Sequence, residues 1–550
     1  MPFYQIFKSF TKIERYVFWG VFIMFIVASS FWGFSFFDSH TIKVPVSSGQ
    51  YTEGIIGQPT FINPVISSSN EVDNDLSEIV YSDLIKLSDH YKVSPDGKTW
   101  NVVLKSDLLW DDGKPLTSDD VIFTIDTIQN PDAISPLYQT WQGVVAQRIS
   151  ELEIEFNLRS PYAFFLDNLK DLKIIPRHIF GAIPAANLRL STYNLEPVGS
   201  GPYKFISYNK RKDAFITGYN FEINKNYASD KPYINNLSIK FYPNTEELIK
   251  AFNSRDIDGF GNLNPKNLNE LKLTHQLIEI KMPRYYAIFL NAASNIALQD
   301  QNVKNAMELA LNRKKIISDV FDGKALEVTG PLPPVISGYS PENISQEFSL
   351  EKSRDLLEKN GWLINNETGI REKTVGKNTV KLEFDIIVPQ IPFLVETVNI
   401  IKDDWQNAGI KLNPIVLSPA DISEEIIKTR NYQMLIFGNI LKNNPDIFSF
   451  WHSSERFYPG LNLSLYENKK VDDLLESIRK NTDEITRNND LKTLQTIITD
   501  DKPALFLFSP NYLYIAPNNL NGFEEKNMAM PSNRFDNINK WYLKTTRVFK

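Results

Sequence analysis

Tyr16 to Phe37 reads YVFWGVFIMFIVASSFWGFSFF, 22 consecutive residues without a charged side chain. In hydrocarbon every backbone N–H and C=O must find its partner within the segment, which confines such a run to a helix. At 1.5 Å per residue it extends roughly 33 Å, against about 30 Å for a hydrocarbon core. Lys8, Lys12 and Arg15 precede the run and Asp38 follows it. Basic flanks stay on the cytoplasmic side, so everything beyond Asp38 is expected outside, periplasmic or at the cell surface. Tyr16, Trp19 and Trp32 suit the two interfacial belts. The competing reading is a signal peptide cut near Ala28-Ser29-Ser30. Signal apolar cores usually run about 7–15 residues, and here aromatics continue past the cut to Phe37. Length favours an uncleaved anchor over residues 16–37, with residues 1–15 as a cytoplasmic tail.

The remainder is long enough for more than one core. Single hydrophobic cores stop growing near about 250–300 residues, so a chain of 550 residues, 42% apolar, is expected to form two or three domains. The net charge of −7 is modest and no basic block occurs, so no nucleic-acid partner is expected. There is no cysteine, which excludes disulfides, thiolate nucleophiles, thiolate zinc sites and a lipid-modified cysteine. The five histidines, His40, His90, His178, His275 and His452, show no HxH or HxxxH spacing. No metal and no cofactor is expected from this pattern.

The segment Leu104 to Ile125, LKSDLLWDDGKPLTSDDVIFTI, carries Asp107, Asp111, Asp112, Asp119 and Asp120. A calcium loop needs ligands at alternating positions and a glutamate at the twelfth. Counting from Asp111, the third residue is Gly113 and the twelfth Ile122, so that reading fails. The turn reading succeeds. VVLKSDLLW is expected to be a strand ending in the turn Asp111-Asp112-Gly113. Thr117 then caps a helix whose first turn holds Asp119 and Asp120 and whose apolar stripe is Val121, Ile122, Ile125 and Ile128.

With its flank, this stretch reads SPDGKTWNVVLKSDLLWDDGKPLTSDDV. It resembles the signature segment of extracytoplasmic solute-binding proteins of the peptide/nickel-binding family (family 5) of ABC transporters. The resemblance continues through GQPTFINPV (Gly57 to Val65), an opening strand and turn, and IVYSDLIKLS. It extends through EPVGSGPYKFISY (Glu196 to Tyr208), RYYAIFLNAASNIALQDQNVKNAMELALNRKKI (Arg284 to Ile316), GPLPP, SLEKSRDLLEKNGW and DKPALFLFSPNYLYIAPNNLNGF (Asp501 to Phe523). Within these segments Asp300 and Ser349 are expected helix caps. Glycines around Ser200 are expected to make a turn into a strand, because neither G-x-S-x-G nor a phosphate-loop spacing is met. LEFDIIV, the helix face Val398, Ile401, Trp405 and Ala408, then Gly409 and IKLNPIVL read as a βαβ unit, which argues for α/β domains with largely parallel sheets.

The resemblance implies a two-lobed periplasmic-binding-protein-like α/β fold behind one N-terminal transmembrane helix. Lobe one would combine residues 41–280 with 505–550 and include a subdomain near 70–190; lobe two would be 281–504. It implies a peptide or small-molecule ligand held between the lobes by hinge closure, without covalent chemistry, and an ABC permease as partner in the same membrane. It places Gln58, Pro59 and Thr60 at the cleft and suggests Tyr138 and Trp141 as wall residues. YQMLIFGNILKNNPDIFSFWHSS (Tyr432 to Ser454) resembles a lobe-two ligand segment. Aligned on Pro445 and Phe448, it puts Leu441 where peptide-binding members often carry an aspartate for the peptide's amino terminus, and Gly438 where a tryptophan is common. Gly438, Asn439, Asn443, Asn444, Asp446 and Trp451 are the candidates there. A loop of turn formers accounts for the polar ones equally well, and the aromatics equally suit a core. Two other functions are weighed: a tethered sensor or chaperone-like module on the same fold, and an extracytoplasmic hydrolase.

Overall fold

The computed structural model describes residues 10–67, 70–340 and 347–550; the first nine residues of the expected cytoplasmic tail lie outside them. The apolar run is helical, and the helix is longer than the run, Lys12–His40, with no buried residue. Thr11 and Glu14 form a reciprocal cap: the Glu14 carboxylate accepts the Thr11 N–H at 2.7 Å and the Thr11 hydroxyl accepts the Glu14 N–H. At its other end Thr41–Pro45 pairs antiparallel with Thr545–Phe549.

Two mixed sheets organise the rest. One has seven strands in the order Gln276–Ile280, Tyr512–Ala516, Gly259–Gly261, Gln50–Ile56, Asn236–Tyr242, Ile216–Ile223 and Tyr203–Lys210. The other has six, in the order Ala325–Glu327, Ala504–Pro510, Arg284–Leu290, Met434–Ile440, Glu383–Pro389 and Lys411–Leu417. The chain passes from one sheet to the other twice, through residues 281–283 and through Asn511 alone. A separate four-stranded antiparallel sheet, Ser88–Val93, Thr99–Leu104, Glu153–Asn157 and Val145–Arg148, packs its apolar face into the seven-stranded unit's core.

The βαβ unit forms as expected. Glu383–Pro389 and Lys411–Leu417 pair in parallel around helix Pro392–Asn407, whose buried face includes Val398, Ile401 and Trp405. The largely parallel sheets do not. In the six-stranded sheet Arg284–Leu290 is antiparallel to both its neighbours, Met434–Ile440 and the strand at 504–510, which returns from the far end of the chain. Crossing strands of that kind leave no local period to read.

The acidic stretch is structural, with one correction. The strand stops at Leu104, not at Trp110, because Asp107 takes a left-handed φ of 60° that breaks the ladder. Leu109 then bridges Pro115 across a tight turn with Gly113 at φ 85°. Thr117 caps helix Ser118–Gln129 in a reciprocal box with Asp120, whose other oxygen accepts the Arg177 N–H at 2.9 Å. Asp111 accepts the Gly199 N–H at 3.0 Å, and burial pushes its carboxyl up to about 6. Asp300 and Ser349 cap helices Gln301–Leu309 and Leu350–Lys359 as read.

The glycines flanking Ser200 serve close approach rather than a special turn. A Cβ on Gly199 would lie 2.0 Å from the Val80 carbonyl oxygen, and Gly201 donates its N–H to that same carbonyl at 2.7 Å. The opening resemblance also shifts: the strand is Gln50–Ile56, and residues 57–65 are the loop after it.

The seven-stranded unit contains a fully buried ionic cluster. Arg534 grips Asp75 through both terminal nitrogens at 2.8 and 2.7 Å and reaches Glu53 at 3.1 Å, while the Tyr514 hydroxyl donates to Glu53 at 2.7 Å. One guanidinium thus serves two carboxylates. Burial pushes Glu53 up to about 7 despite Arg534 and Tyr514, which act the other way.

Candidate functional site

A cavity of about 810 Å³ lies between the end of the four-stranded sheet and the six-stranded unit. That volume is within the range of about 300–1,000 Å³ usual for small-molecule sites. One wall is built by residues 139–168 and the other by residues 440–450 and 461–480. Arg159 and Tyr162 follow strand Glu153–Asn157, Asp446 follows strand Met434–Ile440, and Arg479 sits in the last turn of helix Lys469–Lys480. A loop after a strand projects its side chains beyond the sheet, which places Arg159, Tyr162 and Asp446 at the cavity, while Arg479 reaches it from its helix.

Direct bonds bridge the walls at one margin. The Tyr162 hydroxyl donates to Asp446 at 2.8 Å, and Arg479 Nε donates to both Asp446 oxygens at 2.9 Å. The Ala163 N–H reaches the Arg479 carbonyl at 2.8 Å, Asn444 donates to Asp167 at 3.2 Å, and Lys442 pairs with Asp171 at 2.9 Å. Burial first, and then the adjacent Asp446 carboxylate, push the Tyr162 phenol far above its ordinary value, so it stays a neutral donor.

The cavity's charges are mostly spoken for. Asp446 holds Arg479, Lys442 holds Asp171, and Lys480 holds Glu476 at 2.7 Å. Arg159 is the one lining cation without an anionic partner among the described residues. Its guanidinium lies over Gly143, where a Cβ would stand 2.8 Å from Arg159 Nε.

Of the residues singled out from sequence, Asn444 and Asp446 line this cavity, as does Leu441. Tyr138 and Trp141 bound a short helix whose intervening Gln139 and Thr140 face the cavity. Trp141 itself is 2% exposed and packs on Phe156 and Phe165. Trp451 is 0% exposed against Phe289 and Phe506. Asn439 is buried and donates to the Tyr285 hydroxyl at 2.9 Å, and a Cβ on Gly438 would meet the Tyr286 ring at 2.8 Å. Asn443 is exposed and outside the lining. Gln58, Pro59 and Thr60 sit elsewhere: Gln58 accepts the Ile216 N–H at 3.0 Å and the Thr60 N–H binds Asp73 at 2.6 Å. Arg159, Tyr162 and Arg479 were not picked out from sequence. Their one sequence signal is a cluster of polar and aromatic residues just past a strand, too common to be selective.

Comparison with known proteins adds to this geometry. The family model for bacterial extracellular solute-binding proteins, family 5 Middle, matches residues 85–457. The oligopeptide-binding protein AppA of Bacillus subtilis (strain 168) is 26% identical over 517 residues, covering 91% of this chain and 92% of that protein. The dipeptide-binding protein of Escherichia coli (strain K12) is 24% identical over 485 residues, covering 82% and 87%. The solved structure of B. subtilis AppA with a nonapeptide superposes with a TM-score of 0.71 at 25% identity, over 91% of this chain and 100% of that one. NikZ from Campylobacter jejuni in complex with Ni(L-His) does so at 0.70 and 22% identity, over 91% and 100%. These likenesses carry the two-lobed α/β architecture.

Proposed function

The chain belongs to the bacterial extracellular solute-binding proteins of family 5, and on that premise we propose that it is the peptide-binding component of an ABC importer, tethered outside the membrane by helix Lys12–His40. The observation that supports this best is the cavity between the two units, walled from both sides and bridged by Tyr162, Asp446 and Arg479. A ligand touching both walls favours the closed arrangement by its differential affinity, and a permease in the same membrane reads that closure. The two passages between the sheets are short enough to act as hinges. Binding and release need no covalent step, and no nucleophile or acid/base pair is assigned to this site.

The charge pattern narrows the ligand. Leu441 offers no carboxylate, and Asp446 is engaged by Arg479 and Tyr162, so a peptide ammonium group meets no free anion there. Arg159 is free for an anion. The preferred cargo is a peptide that presents a carboxylate to Arg159, by a charge-assisted contact worth about 1.5–3 kcal/mol.

Ligand-dependent thermal stabilisation of the full chain tests the reading. A ligand at 100 times its Kd adds about 2.7 kcal/mol to stability. Acidic and neutral peptides are expected to raise the melting temperature and to be recovered intact by mass spectrometry. If no peptide stabilises the chain or co-purifies with it, the import reading falls; if peptides are recovered cleaved, the non-enzymatic reading falls.

A further inference from the structure

Helix Lys12–His40 runs straight into the two-stranded sheet, with Thr41 following His40 directly. Residues of the second strand and its end lock the two together. Arg547 pairs with Asp38 and donates to the Thr41 hydroxyl at 2.9 Å. Phe549 meets Phe37 edge-on with ring centroids 6.0 Å apart. The Lys550 N–H donates to the His40 carbonyl at 2.9 Å.

This arrangement fixes the sheet's height. From Phe37, the last apolar residue of the run, to Thr41 the helix rises about 6 Å. The headgroup layer is about 5–8 Å deep on each side of the hydrocarbon, so the rung Thr41–Phe549 lies within it. Two residues along a strand add roughly 7 Å, which keeps the rung Lys43–Arg547 within about one Debye length, roughly 8–10 Å, of the phosphates.

Cations outnumber anions at that height, since Asp38 neutralises Arg547 alone. Residues 41–49 and 542–550 contain Lys43, Lys544, Arg547 and Lys550 and no aspartate or glutamate. Lys43 is exposed and, among the described residues, has no anionic partner; it stands directly opposite Arg547 in the register. Phe549 is 69% exposed, and the pair Ile42–Val548 is exposed beside it. Apolar tips at the interface with cations just above them match a bilayer surface.

We propose that the sheet Thr41–Pro45/Thr545–Phe549 is a lipid-contacting clasp: Phe549 enters the headgroup layer, Ile42 and Val548 lie against its outer edge, and Lys43 and Lys550 bind the phosphates of anionic lipids. The proposal rests on residues 16–37 being retained as an anchor. Residues 46–49 alone separate the clasp from strand Gln50–Ile56. The seven-stranded lobe is thereby held against the membrane, and the six-stranded lobe is the one that swings.

The absence of native cysteine makes the test direct. The full chain is reconstituted in phosphatidylcholine vesicles with and without phosphatidylglycerol, carrying one spin label at a time through Ser29→Cys, Ile42→Cys, Phe549→Cys or, as an aqueous control, Lys212→Cys. Labels at 42 and 549 are expected to be shielded from a water-soluble relaxation agent, more so with phosphatidylglycerol. Lys43→Gln or Lys550→Gln should lower the shielded-to-free ratio about fivefold per cation removed. A label at 29 in lipid with 42 and 549 fully water-accessible overturns the clasp. A label at 29 outside lipid overturns the anchor reading instead. Equal shielding in both vesicles overturns the recognition of anionic headgroups.

Discussion

Tyr162→Phe removes one oxygen and isolates what a single wall-to-wall bond contributes to closure. The ring keeps its edge contact with Phe164 and its place beneath Arg479. Asp446 keeps two bonds from Arg479 Nε and one from the Phe448 N–H at 3.2 Å, so no buried charge is orphaned. The change therefore costs the bond itself, about 1.5–3 kcal/mol for a donor to a carboxylate. If the bond exists only in the closed state, the closed-to-open ratio falls about 10- to 100-fold. Paired labels at Lys212→Cys and Lys377→Cys, one on each unit, report that ratio as a distance distribution by double electron–electron resonance. The variant is expected to gain a longer-distance population without ligand and to bind peptide correspondingly more weakly. An unchanged distribution with unchanged affinity refutes the claim that this contact helps hold the cleft shut.

Arg159→Ala should weaken binding of a carboxylate-bearing peptide about 10- to 100-fold by calorimetric titration and leave a carboxyl-amidated analogue unaffected; equal losses for both would show that Arg159 reads no carboxylate. Arg534→Met strands Glu53 and Asp75 without a counter-ion and should cost about 3–5 kcal/mol, read as a lower urea midpoint; a loss under about 1 kcal/mol contradicts the buried network. Glu53 titrates at about 7 in the folded chain against 4.5 ordinarily, so its contribution is full below about 4.5 and lost as pH rises through about 7. That amounts to roughly 3 kcal/mol, and Glu53→Gln should flatten the stability profile across that window; parallel profiles for the two proteins would exclude Glu53 as its source.

What was legible in the sequence was local. Thr117, Asp300 and Ser349 announced their helices because a cap and its partner lie within three residues. The βαβ unit showed because strand and helix periods follow one another without interruption. What was hidden depends on residues far apart in the chain. Nothing near Asp446 indicates that Arg479 and Tyr162 will take its oxygens, and nothing near Thr41 indicates a partner strand at Thr545. Trp141 and Trp451 carry the same letter as a cleft aromatic, and only packing against Phe165 and Phe506 sends them into cores. The strand at Thr99 was read too long because one residue, Asp107, enters the left-handed region without a glycine to mark it.

The segment from Ala504 to Ala516 supplies an interior strand to both large sheets, separated only by Asn511. Neither lobe can finish its hydrogen-bond ladder before the final tenth of the polypeptide has been delivered. The part beyond the anchor, delivered across a membrane in order from residue 41 onward, thus stays unfinished, and threadable, until translocation is nearly done. A chain stopped at residue 503 should accordingly lack any protease-resistant lobe, whereas one stopped at 540 should retain the six-stranded one.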